Sequence, residues 1–272
     1  MFPPMLIPAL RAIAFVVALS TALVFVAPVQ ALARRFGWGV QRAIQMRFCR
    51  VMCAIIGIRV EPQGGLPDPG PRFVVSNHVS WTDIIALASL YPLTFLAKSE
   101  VANWPVLGLL ARLQGTLFVR RETRADVGRV NAALAGALRE GRDVVLFAEG
   151  TSSNGTQLLP FHSAHFAALS SFCAGRHDVS LAPTAIVYAG GDGAPVDVGW
   201  YGDMTFMPHL WSLMRRGGVT CRIVFGEAIA PSGDRKEMAT TTQERVRGLL
   251  AAARRERGRA AEESPIYWTN SP

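Results

Sequence analysis

The chain reads as an α/β protein: a mixed, largely buried sheet flanked by helices, behind an N-terminal apolar and amphipathic helical membrane segment. Three observations predict this class. From about residue 72 onward, short apolar runs alternate with longer stretches of helical character, the pattern of strands covered on both faces. The apolar fraction of 50% is at the upper end for a globular chain. Much of the excess sits at the front, where residues 12–33 carry no charge.

Taken in order, the front comes first. As a helix, residues 12–33 rise roughly 33 Å, enough to cross or deeply enter a bilayer. Three readings compete: a membrane anchor, a signal peptide with Ala31-Leu32-Ala33 as its cleavage site, and a buried core helix. The weak basic region, only Arg11 and the amino terminus, favours the anchor over the signal peptide. Arg34, Arg35, Arg42, Arg47 and Arg50 follow, and the positive-inside rule then puts the rest of the chain in the cytoplasm. Residues 40–58 mix these arginines with Ile44, Met46, Phe48, Val51, Met52, Ile55 and Ile56, as in an amphipathic helix on a membrane surface or a helix packed on a core.

A linker over 64–70, Gly-Gly-Leu-Pro-Asp-Pro-Gly, precedes the alternating region. Strands are expected at 73–76, 93–97, 116–119, 144–148, 181–188 and 219–225. Helices are expected at 82–90, 101–113, 125–140, 163–172 and 235–257. The organisation is then 1–60 as membrane-associating helices, 61–260 as the α/β domain, and 261–272 as a charged tail.

The net charge is +8, carried by 26 Arg and 2 Lys, which favours anionic partners. No zinc-finger spacing, aromatic RNA-binding motif or helix-turn-helix pattern is present, so an anionic membrane surface is the expected partner and nucleic acid is not. Four cysteines, at 49, 53, 173 and 221, form no C-x-x-C pair, which fits structural thiols in a reducing compartment. Asn154-Gly155-Thr156 matches a glycosylation sequon but reads as a turn.

Chemistry concentrates at three strand ends. Asn77-His78-Val79-Ser80-Trp81-Thr82-Asp83 follows the first expected strand. Histidine takes a proton near neutral pH, and a carboxylate can hold its tautomer and stabilise the imidazolium. Residues five apart do not share a helix face, so His78 belongs on a loop with Asp83 in the first turn of the helix that Ser80–Asp83 would open as a capping box. Gly115 to Arg121 ends a strand with Arg120 and Arg121, a cation fork or a solvated strand end. Phe147-Ala148-Glu149-Gly150-Thr151-Ser152-Ser153 makes a polar loop after another strand, where Glu149 would accept hydrogen bonds from a polyol or brace an arginine. Neither a P-loop nor G-x-S-x-G occurs, so ATP chemistry and a serine elbow are unsupported.

Together these segments resemble the glycerolipid acyltransferase family, which includes the 1-acylglycerol-3-phosphate acyltransferases. Its N-H-x-x-x-x-D block is matched by Asn77, His78 and Asp83, and its G-x-x-F-x-x-R block by Gly115, Phe118 and Arg121. Its F-P-E-G-T-R-S block is matched by Phe147, Glu149, Gly150, Thr151 and Ser153, and its later proline by Pro183. The order is kept over residues 72–226. Ala148 replaces the family's proline and Ser152 its arginine, which removes a cation from the acceptor loop.

The resemblance implies an O-acyltransferase of lipid biosynthesis. His78 and Asp83 are catalytic, while Arg121, Glu149, Gly150, Thr151, Lys98, Gly115 and Phe118 bind substrate. The donor is acyl carrier protein or coenzyme A thioester, with no metal and no bound cofactor. The acceptor is 1-acyl-sn-glycerol-3-phosphate, with the family's lyso-ornithine lipid acyltransferases as the alternative raised by Ser152. An apolar groove for the acyl chain is expected, its lining unassigned. A membrane-anchored hydrolase and a non-catalytic lipid binder are the more distant rivals. His162 and His165 read as helix-face or groove residues rather than metal ligands, and His209 as core packing among aromatics.

Overall fold

The computed structural model describes residues 6–67, 70–119, 124–172, 179–190, 194 and 196–263. Seven strands form one sheet: β1 (Ile58–Gln63), β2 (Arg72–Ser76), β3 (Leu93–Lys98), β4 (Leu117–Val119), β5 (Asp143–Phe147), β6 (Ser180–Gly190) and β7 (Val219–Phe225), in the spatial order β1-β7-β6-β2-β5-β3-β4. Neighbours run parallel except β6 and β7, which pair antiparallel. The sheet is therefore mixed. β2, β3, β4 and β5 end at one edge, and that edge carries the site.

Both faces of the sheet are covered. Phe73 and Val75 of β2 point to one face, where they meet Leu134, Phe166, Leu169 and Val246. Val74 points to the other, with Cys53, Ile56, Leu87 and Leu213. This is the two-residue alternation of a strand buried on both sides, and it explains why β2 has no polar residue between Arg72 and Ser76. Cover on the first face comes from α6 (Arg124–Arg139), the 3₁₀ segment Ser163–Phe172 and α8 (Arg235–Glu263). On the second face lie α3 (Val40–Ile56), α4 (Thr82–Leu90) and α7 (Phe206–Arg216). Cys49, Cys53 and Cys221 are free and buried; burial pushes Cys49 well up, and pushes Cys53 up to about 12. Cys173 lies outside the described residues.

Several expectations shift. β1 lay unseen at a sheet edge, where alternating Arg59 and Glu61 and the edge-compatible Pro62 hide a strand. Its span contains residue 60, so the expected boundary between membrane helices and domain falls inside a strand. The helix expected at 101–113 is broken by Pro105 into a 3₁₀ turn (Ser99–Asn103) and α5 (Leu107–Leu113), with Val106 between them at φ 63°. α7 was hidden because Pro208 looks like a breaker. It stands in the first turn, where amide hydrogens have no helical partner to lose.

At the front, Leu6–Arg35 is one continuous helical stretch: α1 (Leu6–Thr21), one π turn (Ala22–Val26) and α2 (Ala27–Arg35). Pro28 cannot donate to a carbonyl one turn back, and the π turn absorbs that gap. By length and composition the stretch is apolar enough to cross a membrane. It does not stand clear of the domain: Ala12 and Phe15 pack on the second core, and Arg11 Nη1 donates to Met214 O at the end of α7, 3.0 Å away. Its other flank is open, with Val17 58% and Phe25 68% exposed. Ala31-Leu32-Ala33 lies within α2, and Ala33 is fully buried. The tail from 264 onward lies outside the described residues.

Candidate active site

His78 leaves the carboxyl end of β2, and α4 begins four residues later with Asp83 in its first turn. Half of the expected capping box forms: the Ser80 amide donates to Asp83 Oδ2 at 3.0 Å, while the Ser80 hydroxyl accepts from the Thr82 amide at 3.4 Å instead of the third helical position. Asp83 is fully buried. Its Oδ2 lies 2.8 Å from His78 Nδ1 and accepts the Val79 amide at 2.7 Å; its Oδ1 accepts the Tyr188 hydroxyl at 2.7 Å. Donors converge on both oxygens, an environment that a carboxylate satisfies. Nδ1 therefore carries hydrogen, and Nε2 keeps a lone pair able to take a proton.

Three supports fix the loop. Asn77 continues the β2–β6 ladder with its side chain: Oδ1 accepts the Ile186 amide at 2.8 Å, and Nδ2 donates to Ile186 O at 3.0 Å. The His78 amide donates to Glu149 Oε1 at 2.7 Å, and the Leu159 amide to Glu149 Oε2 at 2.8 Å. The His78 ring stacks on Phe147 with centroids 4.0 Å apart. The ring is thus held by its edge, its face and its backbone, and the His78 side chain is still 18% exposed.

Burial pushes the Glu149 carboxyl above the ordinary range, and the two amide donors pull it back. Burial, then the Asp83 charge beside it, holds the Tyr188 hydroxyl well up, so it stays a donor.

Not every expected site residue meets here. Glu149 is 3% exposed and each of its oxygens accepts a backbone amide, so it clamps the His78 loop to the Leu159 segment. Gly150 follows at φ 71°, a conformation that explains glycine there, and Thr151 is exposed on the same loop. Lys98 is exposed at the end of β3, on the His78 edge. Gly115 precedes β4 at the opposite end of the sheet, where it borders a cleft with Leu93 and Asp143, the first residues of β3 and β5. Phe118 borders a hollow with Asp126 and Val130 of α6. Arg120 and Arg121 lie outside the described residues. Ser152 donates its hydroxyl to Trp200 O, an internal contact.

Two features escaped sequence reasoning. Tyr188, inside the apolar run of β6, is the second partner of Asp83; a buried tyrosine hydroxyl needs a partner, and that was its signal. The second is the lining of the expected apolar groove, about 220 Å³ in volume: Phe15, Phe48, Met52, Trp81, Phe95 and Trp104, among others. Phe95, in its wall, stacks toward Phe147, the ring under His78. Only the fold could gather these residues from α1, α3, β3 and the turns that precede α4 and α5.

The remaining histidines have other partners. His209 Nδ1 accepts the Trp81 indole at 3.0 Å and its Nε2 faces Val198 O at 3.2 Å; burial lowers its pKa. His165 Nδ1 meets Asn131 Oδ1 at 3.1 Å, and His162 is exposed. Among the described residues, no cluster of three potential metal ligands occurs.

Comparisons agree with this arrangement. The acyltransferase family profile matches residues 57–187. A lyso-ornithine lipid O-acyltransferase of Brucella abortus is 38% identical over 251 residues, 89% of this chain and 93% of that protein. A 1-acyl-sn-glycerol-3-phosphate acyltransferase of Neisseria meningitidis is 33% identical over 206 residues, 74% of this chain and 78% of that protein. The crystal structure of the 1-acyl-sn-glycerophosphate acyltransferase PlsC of Thermotoga maritima shares the fold, with a TM-score of 0.68 at 18% identity, over 92% of this chain and 98% of that one. With its histidine–aspartate pair at the carboxyl edge of a mixed sheet, the chain belongs to the acyltransferase family whose relatives are named for O-acylation of lysolipids.

Proposed function

We propose that this enzyme acylates the free hydroxyl of a lyso-ornithine lipid, taking the acyl group from an acyl carrier protein or coenzyme A thioester. The observation that carries the chemistry is the 2.8 Å contact between His78 Nδ1 and a buried Asp83. Nε2 takes the proton of the acceptor hydroxyl as its oxygen attacks the thioester carbonyl. The C–S bond then breaks, and the proton passes from the imidazolium to the departing thiolate. Asp83 stabilises the imidazolium between these events. These groups balance the reaction with no cofactor beyond the thioester.

Ser152 supports the choice of acceptor. An ornithine headgroup carries an ammonium as well as a carboxylate, so it does not demand the cation that Ser152 replaces. The Brucella relative, named for this acceptor, also matches more closely than the Neisseria one, at 38% against 33%. The second reading, lysophosphatidic acid as acceptor, is supported by that Neisseria relative and by the position of Lys98 on the catalytic edge. In either case Arg121, two residues past the end of β4, and Thr151 would hold the headgroup, and the apolar groove would hold the acyl chain. The open flank of α1 and α2 would bring the site to its lipid from the cytoplasmic face.

The test is acyl transfer by membranes containing the protein, with lyso-ornithine lipid and lysophosphatidic acid offered separately beside a His78→Ala control. Product from the ornithine acceptor that disappears in the control is expected. Product from lysophosphatidic acid alone would move the enzyme to the second reading, and free fatty acid without acceptor acylation would sink both.

A further inference from the structure

A second cleft, of about 440 Å³, lies at the opposite end of the sheet from His78, over the first residues of β2, β3 and β5. Its charges do not cancel. Arg72 and Asp143 neutralise each other through paired hydrogen bonds, and Arg142 meets Glu140 at 2.9 Å. Arg34, in the last turn of α2, donates to Leu113 O at 3.1 Å, and Arg42 is exposed in the first turn of α3. Among the described residues, neither faces a carboxylate.

The cations also crowd. The Nη1 atoms of Arg34 and Arg142 lie 2.9 Å and 3.7 Å from the single point that a Cβ on Gly115 would occupy. Glu140 offsets Arg142, but Arg34 has no carboxylate partner among the described residues, so an anion placed between them would meet an uncompensated charge. Gly115 makes the room, at φ 79°. α3 adds its amino end, with Gln41 and Arg42 lining the cleft and no acidic residue in that turn.

The cleft also has an apolar extension. Gln30, Gln45, Leu113 and Gln114 border it and, equally, a narrow apolar seam made with Val26 and Phe48. Gln30 is 5% exposed, and its Oε1 meets no donor among the described residues. Phe36 and Trp38, stacked and exposed between α2 and α3, are the kind of aromatic pair that sits at a membrane interface.

We propose that this cleft binds the phosphodiester headgroup of an anionic membrane phospholipid. A hydroxyl on the headgroup would supply the donor that Gln30 lacks. The site is separate from His78, and the proposal does not rest on the acyl-transfer reading.

The test titrates detergent-solubilised full-length protein with dihexanoyl phosphatidylglycerol, dihexanoyl phosphatidylcholine and inorganic phosphate, reading Kd by calorimetry. Phosphatidylglycerol should bind, the other two at least about tenfold more weakly, and His78→Ala should bind like the unaltered protein. Replacing Arg42 and Arg142 together by Gln should weaken phosphatidylglycerol binding by about tenfold for each charged hydrogen bond lost. The same change at Arg245 and Arg247, exposed on α8, should leave it unaltered. Arg42→Glu alone, at an exposed position, gives a check free of any folding defect. Equal losses in both pairs, or none in the cleft variants, would overturn the site. Inorganic phosphate binding as tightly as the lipid would overturn the lipid assignment.

Discussion

Replacing Asp83 by Asn and by Ala separates two contributions of one carboxylate. Asn keeps the hydrogen bonds: its oxygen can take the place of Oδ2 before His78 Nδ1 and the Val79 and Ser80 amides. Its NH₂ then meets the Tyr188 hydroxyl, whose proton turns to Thr82 Oγ1, 2.9 Å away. Only the charge is lost. A unit charge about 4 Å from an imidazolium is worth about 4 kcal/mol at an effective dielectric of about 20. Because His78 is partly exposed, half of this to all of it is a fair range. That corresponds to a fall in kcat of roughly 30- to 1,000-fold, with KM and Tm little changed. Ala removes every acceptor and leaves the Val79 and Ser80 amides unpaired in a buried site, at about 1–3 kcal/mol each. The Ala variant should therefore lose several degrees of Tm as well as activity. The assay pairs thermal unfolding with initial rates of acyl transfer. Full activity in the Asn variant would refute the charge argument, and an Asn variant as unstable as the Ala one would refute the rotating Tyr188 hydroxyl.

Glu149→Gln offers one oxygen to two amide donors and turns an NH₂ against the other; about 2 kcal/mol of stability and at least about tenfold in kcat should go, and unchanged kinetics would remove the clamp role. Tyr188→Phe should cost about 1.5–3 kcal/mol in denaturant unfolding, since it strips a donor from a buried charge; no loss would mean the 2.7 Å bond contributes nothing. Ala97→Phe fills the apolar groove, so the preferred donor chain should shorten while shorter donors keep their rate; an unshifted profile across chain lengths removes the groove from acyl binding. His209 has a lowered pKa, so the stability it contributes is complete above 6.5 and is lost as pH falls through its folded value. Tm should drop on the acid side with a change in Trp81 fluorescence, and the same acid slope in His209→Gln would rule that cause out.

The parts of this molecule legible in its sequence are those with short-range signals. β2 and α4 are bounded by an apolar run and a cap, so the loop between them, with His78 and Asp83, could be placed from seven residues. What stayed hidden depends on distance in the chain. Glu149 looks like a ligand because its sequence neighbours are polar; only packing shows that amides 71 and 10 residues away occupy it. Gly115 shares a motif with position 121 yet stands at the far end of the strand, because a motif spacing does not show which end of a strand faces the site. β1 and α7 were missed through their prolines, harmless at a sheet edge and in a first helical turn.

The Asn77 splice has an experimental consequence. Ile186 lies mid-strand in β6, where an amide is ordinarily locked by a neighbouring strand, yet its hydrogen is held by a side chain from the loop after β2. Its solvent exchange therefore does not report on the sheet. It requires Asn77 to let go, and so times the opening of the loop that carries His78. A deuterium label at this one amide thus serves as a built-in clock: its protection measures how rigidly the proposed base is held before any substrate arrives, and any slowing on lipid binding measures how much order the ligand adds.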